Sequence, residues 1–510
     1  MTIARQRPQL AFSLLASTLL CLPNATFAQR AAENAVSESD DAFGTSIGSE
    51  EIGLYSSVDV RGFSPTAAGN VRIEGLYFDQ VWGLTSRVRR STRVRVGLTA
   101  LGHPFPAPTG VIDYSLRTPG KERLGAVAAY VDTDGGGGLE IDAELPIFAE
   151  RLSIGAGLGL YKNVFQNGTD SLQHIESLTL RWAPSDRLEL VPFWARSDIY
   201  DDEIGPIYVP AGAFLPPRIE RRQFNGPSWA TYEGTAQNHG ILARAQVASD
   251  WVLRAGVFRS AFENEQGFTQ LLTDLTTAGS ANRLIVADAP DGTRSTSGEI
   301  RLTGAASEGP RLHKLHLSIR GCDRASRYDG VAEIDLGPTT LTERIDVPRP
   351  ALQFSPQTTD DVNQWTFGVA YEGRWKRVGE ISAGIQKTDY RKTVLQPALP
   401  IASNAAAPRL YSIAVAAHLS EAVALYAGST RGLEESGVAP LNAVNRNEAL
   451  PAIETRQTDL GVRWTFPTGV KLVAGLFEIR KPYFNLDASN RYQQLGSPER
   501  WPPTSISAAG

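Results

Sequence analysis

The stretch Asp459-Leu-Gly-Val-Arg-Trp-Thr-Phe466 alternates without a break: Leu460, Val462, Trp464 and Phe466 fall on one side of an extended chain, and Asp459, Gly461, Arg463 and Thr465 on the other. Successive side chains leave a strand on opposite faces, so a period of two marks a strand with one apolar and one wet face. The pattern recurs where Trp365, Phe367, Val369 and Tyr371 alternate with Thr366, Gly368, Ala370 and Glu372. It recurs again at Leu315, Leu317 and Ile319 against His316, Ser318 and Arg320, and at Leu178, Leu180 and Trp182 against Ser177, Thr179 and Arg181. From about Lys121 onward it predicts roughly fifteen strands, mostly about 9 to 13 residues long, close to the length that crosses a bilayer at a tilt.

Alternation alone is shared by a soluble β-sandwich and a membrane β-barrel. Connection lengths separate the two. Very short links (Pro184-Ser185-Asp186, Ser249-Asp250, Ser420-Glu421, Pro467-Thr468-Gly469) take turns with long ones at about 200–238, 263–294, 324–363, 392–408 and 431–453. Short turns at one rim and long loops at the other are the habit of outer-membrane barrels. Trp182, Trp365 and Trp464 fall near expected strand ends, where rings lie at headgroup level. The fold expected is therefore all-β, a transmembrane antiparallel barrel.

The N-terminus agrees with export. Arg5 and Arg7 precede an apolar run, Leu10 to Leu22, and Thr26-Phe27-Ala28 supplies small residues before a cleavage point between Ala28 and Gln29. That run is too short for a membrane helix, which takes about 20 residues. Cys21 lies within the signal, so the exported chain keeps only Cys322, which allows neither an internal disulfide nor a cysteine zinc cluster. Fifty basic against 55 acidic residues, a net of −5, leave no basic domain for nucleic acid. The six histidines are scattered, no His-Glu-x-x-His or Gly-x-Ser-x-Gly occurs, and Gly155-Ala-Gly-Leu-Gly159 lies in a strand. Neither an enzyme nor a bound metal or cofactor is expected.

Residues 43–120 differ in texture, with glycines at 62, 69, 75, 83, 97, 102 and 110. Arg61-Gly62-Phe63 is followed by Asn70-Val-Arg-Ile-Glu74-Gly75, then Thr92-Arg-Val-Arg-Val-Gly97, then Gly110-Val-Ile-Asp113. In this order the four blocks resemble the plug domain of TonB-dependent outer-membrane receptors of the siderophore-receptor type, with Glu74 in place of the usual Asp and no Gly-Pro in the third block. The barrel resembles the family too, most clearly from Leu450 to Tyr483, and the likeness spans residues 43–496. It implies a plug in the lumen of a 22-stranded barrel and uptake of a ferric siderophore or similar scarce ligand. It also implies the TonB energy-transducing protein, outer-membrane lipid and the barrel assembly machinery as partners.

The expected organisation is a signal peptide at 1–28, a disordered periplasmic segment at 29–42, the plug at 43–120, a barrel at 121–496 and an atypical tail at 497–510. No clear TonB box stands between Gln29 and Gly44, and the tail carries Pro502-Pro503, unsuited to a central strand. The sequence therefore predicts a barrel cut short by about seven strands relative to the family's 22, with two open edges. Three readings stay open: an energised receptor, a passive porin-like or adhesin-like barrel without TonB coupling, and a remnant inactivated by truncation. Ligand contacts are expected in the long loop at 200–238, from Tyr200, Tyr208, Arg218, Arg221, Arg222, Phe224 and Trp229, since aromatics and guanidinium groups suit an anionic, ring-bearing chelate.

Overall fold

The alternating strands pair antiparallel, each with its chain neighbour, into a closed ring. The computed structural model describes residues 63–95, 103–105, 107–148, 151–220, 224–344, 347–467 and 470–496, with the short strands Thr45–Ile47, Glu50–Glu51 and Ser505–Ala509. The wall runs through Leu124–Val131, Gly137–Phe148, Leu152–Val164, Asp170–Ser185, Leu188–Glu203, Thr231–Ala248, Trp251–Leu275 and Asp291–Glu308. It continues through Arg311–Asp329, Gln357–Trp375, Gly379–Leu395, Arg409–His418, Val423–Glu434, Ile453–Thr465, Lys471–Arg480 and Ser505–Ala509. These are sixteen strands among the described residues.

The last of them corrects the expectation of an open barrel. Ser505–Ala509 pairs antiparallel with Lys471–Gly475 on one side and lies beside Leu124–Val131 on the other, so the ring closes. Its five residues, Ser-Ile-Ser-Ala-Ala, are small and lack alternation, which hid the strand from a periodicity argument. Strand length is the second correction. Trp251–Leu275 has 25 residues, and Arg311–Asp329 and Gln357–Trp375 have 19 each. They run past the hydrocarbon, and beyond it Gly267–Thr273 pairs with Asn282–Asp288, and the strand Ser280–Asp288 pairs with Val331–Thr340. Much of what the sequence marked as loop is thus sheet, with Ile285, Ala287, Ala332 and Ile334 packed together in it.

Which face points where separates a membrane barrel from a soluble one. Leu315, Leu317, Ile319, Trp365, Phe367, Val369, Leu460 and Trp464 all lie exposed on the outside. The other face is polar and buried: Ser297, Glu299, Arg301, His316, Ser318, Thr366 and Glu372 point inward. Water would penalise such an apolar outer band, whereas lipid accepts it. From Trp365 to Trp375 the outer face runs ten steps of about 3.3 Å. At a tilt near 40° that covers roughly 25 Å, the height of a bilayer's apolar band.

A second sheet fills the ring. Its strands lie in the order Glu50–Glu51, Thr45–Ile47, Arg89–Arg95, Val111–Leu116, Val71–Ile73, Leu76–Tyr77. Ile73 pairs with Leu76, leaving Glu74 and Gly75 as a two-residue turn with φ of 49° and 76°. Positive φ at both central positions is the type I′ turn that suits a hairpin's twist. Glycine takes it freely, and Glu74 is held there because its Oε1 accepts the Leu116 N–H at 2.8 Å while its carbonyl accepts from Arg254. Val71, Ile73, Leu76, Phe78 and Ile112 then pack on Val191, Phe193, Leu242 and Phe258 of the wall, with the Phe78 and Phe258 rings edge to face at 5.8 Å.

An arginine on the lipid face near mid-membrane costs about 2–4 kcal/mol, falling to about 0–1 at the interface. Val369→Arg is therefore expected to destabilise the folded barrel by the larger amount and Asp361→Arg, on the same face at the rim, by the smaller. Urea titration of the protein folded into lipid vesicles reads both.

Candidate functional site

The contact between the inner sheet and the wall is polar at its centre, because the wall's inward face is polar by strand parity. Glu299 is its hub. Its Oε2 accepts the Tyr77 N–H at 2.9 Å, and its Oε1 accepts from Arg301 Nε at 2.8 Å and Ser318 Oγ at 2.7 Å. Arg301 in turn donates to the Gly75 carbonyl at 2.9 Å. Both side chains are buried, so the pair is stable only through this complete set of partners.

Toward the long-loop rim a second chain of charges begins at Asp79. Its backbone N–H donates to Ser297 Oγ at 2.9 Å, and its carboxylate accepts from Ser295 Oγ at 2.6 Å and from Arg324. Arg324 Nη1 also reaches Glu435 at 2.6 Å, and Glu435 reaches Lys392 Nζ at 2.9 Å. Lys392 is further bound to Asp360 at 2.7 Å and to the Ser436 carbonyl at 3.0 Å. This chain ties inner sheet, wall and the loop after Val423–Glu434 into one unit. Beside it Trp82 stacks on Phe262 at 4.5 Å, still 38% exposed, with Asn238 Nδ2 donating to its carbonyl at 3.2 Å. Its exposed ring is an aromatic platform beside the charge chain.

Contacts continue around the ring. Arg87 binds Asp142 at 2.7 Å and Glu140 at 2.9 Å, and Thr109 N–H donates to Gln457 Oε1 at 3.0 Å. Phe105 lies against Gly368, where a Cβ would stand 2.8 Å from its ring, so only glycine admits this approach. With contacts on so many strands the lumen is occupied, not skirted.

The residues expected from sequence divide into two groups. Asn70 donates to the Pro108 carbonyl and to Thr109 Oγ1, both at 3.3 Å, and Gly75 N–H donates to Asp113 at 2.7 Å. Gly110 follows Thr109 in a turn where both have positive φ, and the Phe63 ring lies 5.6 Å from Lys481 Nζ. These residues shape the inner sheet. Arg61, Gly62, Arg221, Arg222, Ala28 and Gln29 lie outside the described residues.

The described members of the loop set do not converge. Tyr208 packs on Leu272 and Leu275, and Trp229 lies edge-on to Phe268 at 5.4 Å and donates to the Val347 carbonyl at 2.8 Å. Tyr200 sits 5.8 Å from the His174 ring, Phe224 is half-buried, and Arg218 is exposed. Sequence reasoning missed Asp79, Trp82, Glu299, Arg324, Lys392 and Glu435. The available signal was charge on the wet face of strongly alternating strands, which a filled lumen requires to be paired.

No family model matches this sequence, and comparison with curated proteins finds no match. Solved structures do match. The ferric preacinetobactin receptor BauA from Acinetobacter baumannii superposes with a TM-score of 0.67 at 15% identity, over 84% of this chain and 66% of that one. The siderophore receptor PiuA of the same organism gives 0.68 at 14%, over 89% and 71%. The ferric-catecholate import receptor Fiu from Escherichia coli K12 gives 0.68 at 12%, over 84% and 68%. This chain has the fold of the TonB-dependent siderophore receptors. At these identities the likeness is one of fold, and the chain spans about two thirds of the length of the receptors it matches.

Within that receptor fold, Glu299→Gln removes the carboxylate from Arg301 and leaves a buried guanidinium unpaired, a loss of about 3–5 kcal/mol. Amide exchange in Val71–Tyr77 and Val111–Leu116 is expected to speed up by roughly two to three orders of magnitude, with the wall strands little changed. Hydrogen-exchange mass spectrometry checks both.

Proposed function

We propose that this chain is an outer-membrane receptor of a Gram-negative bacterium that takes up a ferric siderophore or a similar scarce ligand, driven by TonB from the inner membrane. One observation carries the reading: the lumen holds a sheet bonded around the wall, by Glu299, Arg301, Arg324, Arg87 and Gln457 among others. A sixteen-stranded ring would otherwise enclose an aqueous channel. Passage then requires the inner sheet to move, and buried ion pairs resist that motion by several kcal/mol each. Work applied from the periplasmic side answers this need, and a passive pore has no use for such an obstruction.

The outward apolar band and the N-terminal export signal support the location, with the barrel assembly machinery and outer-membrane lipid as partners. The matched structures are described as receptors or importers of iron-bearing ligands, which supports the cargo class. We assign ligand contact to the exposed Trp82 ring and to the loop residues expected from the sequence, among which Arg218 has an exposed guanidinium. Tyr200, Tyr208, Arg221, Arg222, Phe224 and Trp229 are proposed as further contacts.

Val81 and Trp82 N–H both donate to Ser260 Oγ at 3.1 Å, so cysteines at 81 and 260 are placed to cross-link sheet to wall. In a Cys322→Ser background, the oxidised pair is expected to abolish growth on iron-chelated medium supplemented with the cognate siderophore, and reduction to restore it. Deleting the inner-membrane energiser is expected to abolish growth likewise. Uptake indifferent to both would refute the receptor reading and favour a passive barrel.

A further inference from the structure

Between the Val71–Tyr77 hairpin and the wall, positive charge exceeds what the carboxylates there can pair. Arg72 is 1% exposed, and its only hydrogen bond among the described residues is from Nη1 to the neighbouring Val71 carbonyl at 2.7 Å. Its guanidinium lies 5.2 Å from the centre of the Tyr77 ring, and that of Arg320, from the wall, lies 5.1 Å from the same ring. Arg301 stands close by and shares Glu299 with a backbone N–H and Ser318. His103, 5% exposed, faces the same group.

The unpaired atoms are all of one kind. Arg72 Nε, Arg95 Nε, Arg320 Nε and His103 Nε2 are buried without a hydrogen-bond partner. His103 Nδ1 accepts the Phe105 N–H at 3.3 Å, which fixes the tautomer and leaves Nε2 carrying the proton. All four atoms are therefore N–H donors. A buried donor left unsatisfied costs about 1–3 kcal/mol, more when charged. Burial, with Arg301, Arg72, Arg95 and Arg320 beside it, holds the His103 pKa well below its ordinary value, and burial followed by Arg320 pushes Arg72 down to about 9. Clustered guanidinium donors, with Glu299 shared among several partners and Asp113 near Arg95, match the needs of an acceptor-only, multiply charged guest.

We propose that this cluster of donors between the inner sheet and the wall binds a small oxyanion of the inorganic phosphate class, held by Arg72, Arg320 and His103 with Arg301 alongside. The anion supplies the acceptors that these donors lack and adds a further tie between the hairpin and the wall. The cluster shares no residue with the contacts proposed for the cargo.

The test uses the full chain purified in detergent. Equilibrium dialysis with radiolabelled inorganic phosphate, at constant ionic strength set with chloride, is expected to show saturable binding of one anion per chain. Arg320→Gln, on the half-buried wall arginine, is expected to weaken it at least tenfold, and Arg259→Gln, on the outer face of the wall, to leave it unchanged. Arg72→Gln should match Arg320→Gln, and if it fails to fold, Arg320→Gln decides alone. Absence of saturable binding to the unmodified protein, or binding undiminished by Arg320→Gln, would overturn the proposal.

Discussion

Inside a bilayer no water is available to hydrogen-bond a backbone N–H or C=O, and each one left bare costs several kcal/mol. Every other feature of this molecule follows from that constraint. Strands of a membrane sheet must close on themselves, and here the closing piece is the short strand Ser505–Ala509, paired with Lys471–Gly475. Closure turns the wet face of every strand inward. A ring of sixteen such strands encloses a polar lumen, and the inward side chains must find water or partners.

The partners come from the sheet threaded into the lumen. Hydrophobic packing of Phe78 on Phe258 supplies contact area, but the polar wall makes ion pairs the natural seal. Two anchors hold the sheet: Glu299 of the wall, bonded to the Tyr77 N–H, and Asp79, two residues further along the inner segment, bonded to Arg324 of the wall. Such pairs contribute little net stability relative to apolar packing, yet they are costly to break one at a time. An obstruction of this kind stays closed at rest and still yields to applied work, which is the behaviour a gated importer needs.

Much of the architecture was legible in the sequence, because the period of two is a local property. Trp365-Thr-Phe-Gly-Val369 reads as a lipid-facing strand from its own residues. The site was less legible because it is built from register. Arg324 meets Asp79 across 245 residues of chain, and nothing local to either announces the other. The packing of the loop aromatics was hidden for a related reason: Tyr208 and Trp229 rest on Trp251–Leu275 and Ser280–Asp288, whose pairing is set far from either residue in the chain. Closure was missed because Ser505–Ala509 carries almost no pattern.

The central claim is that the inner sheet fills the ring. Single-channel recording in a planar bilayer tests it most directly. The intact protein is expected to be electrically silent, and a variant lacking residues 43–120 to conduct as a wide aqueous pore. Steady conductance by the intact protein, equal to that of the variant, would contradict the account.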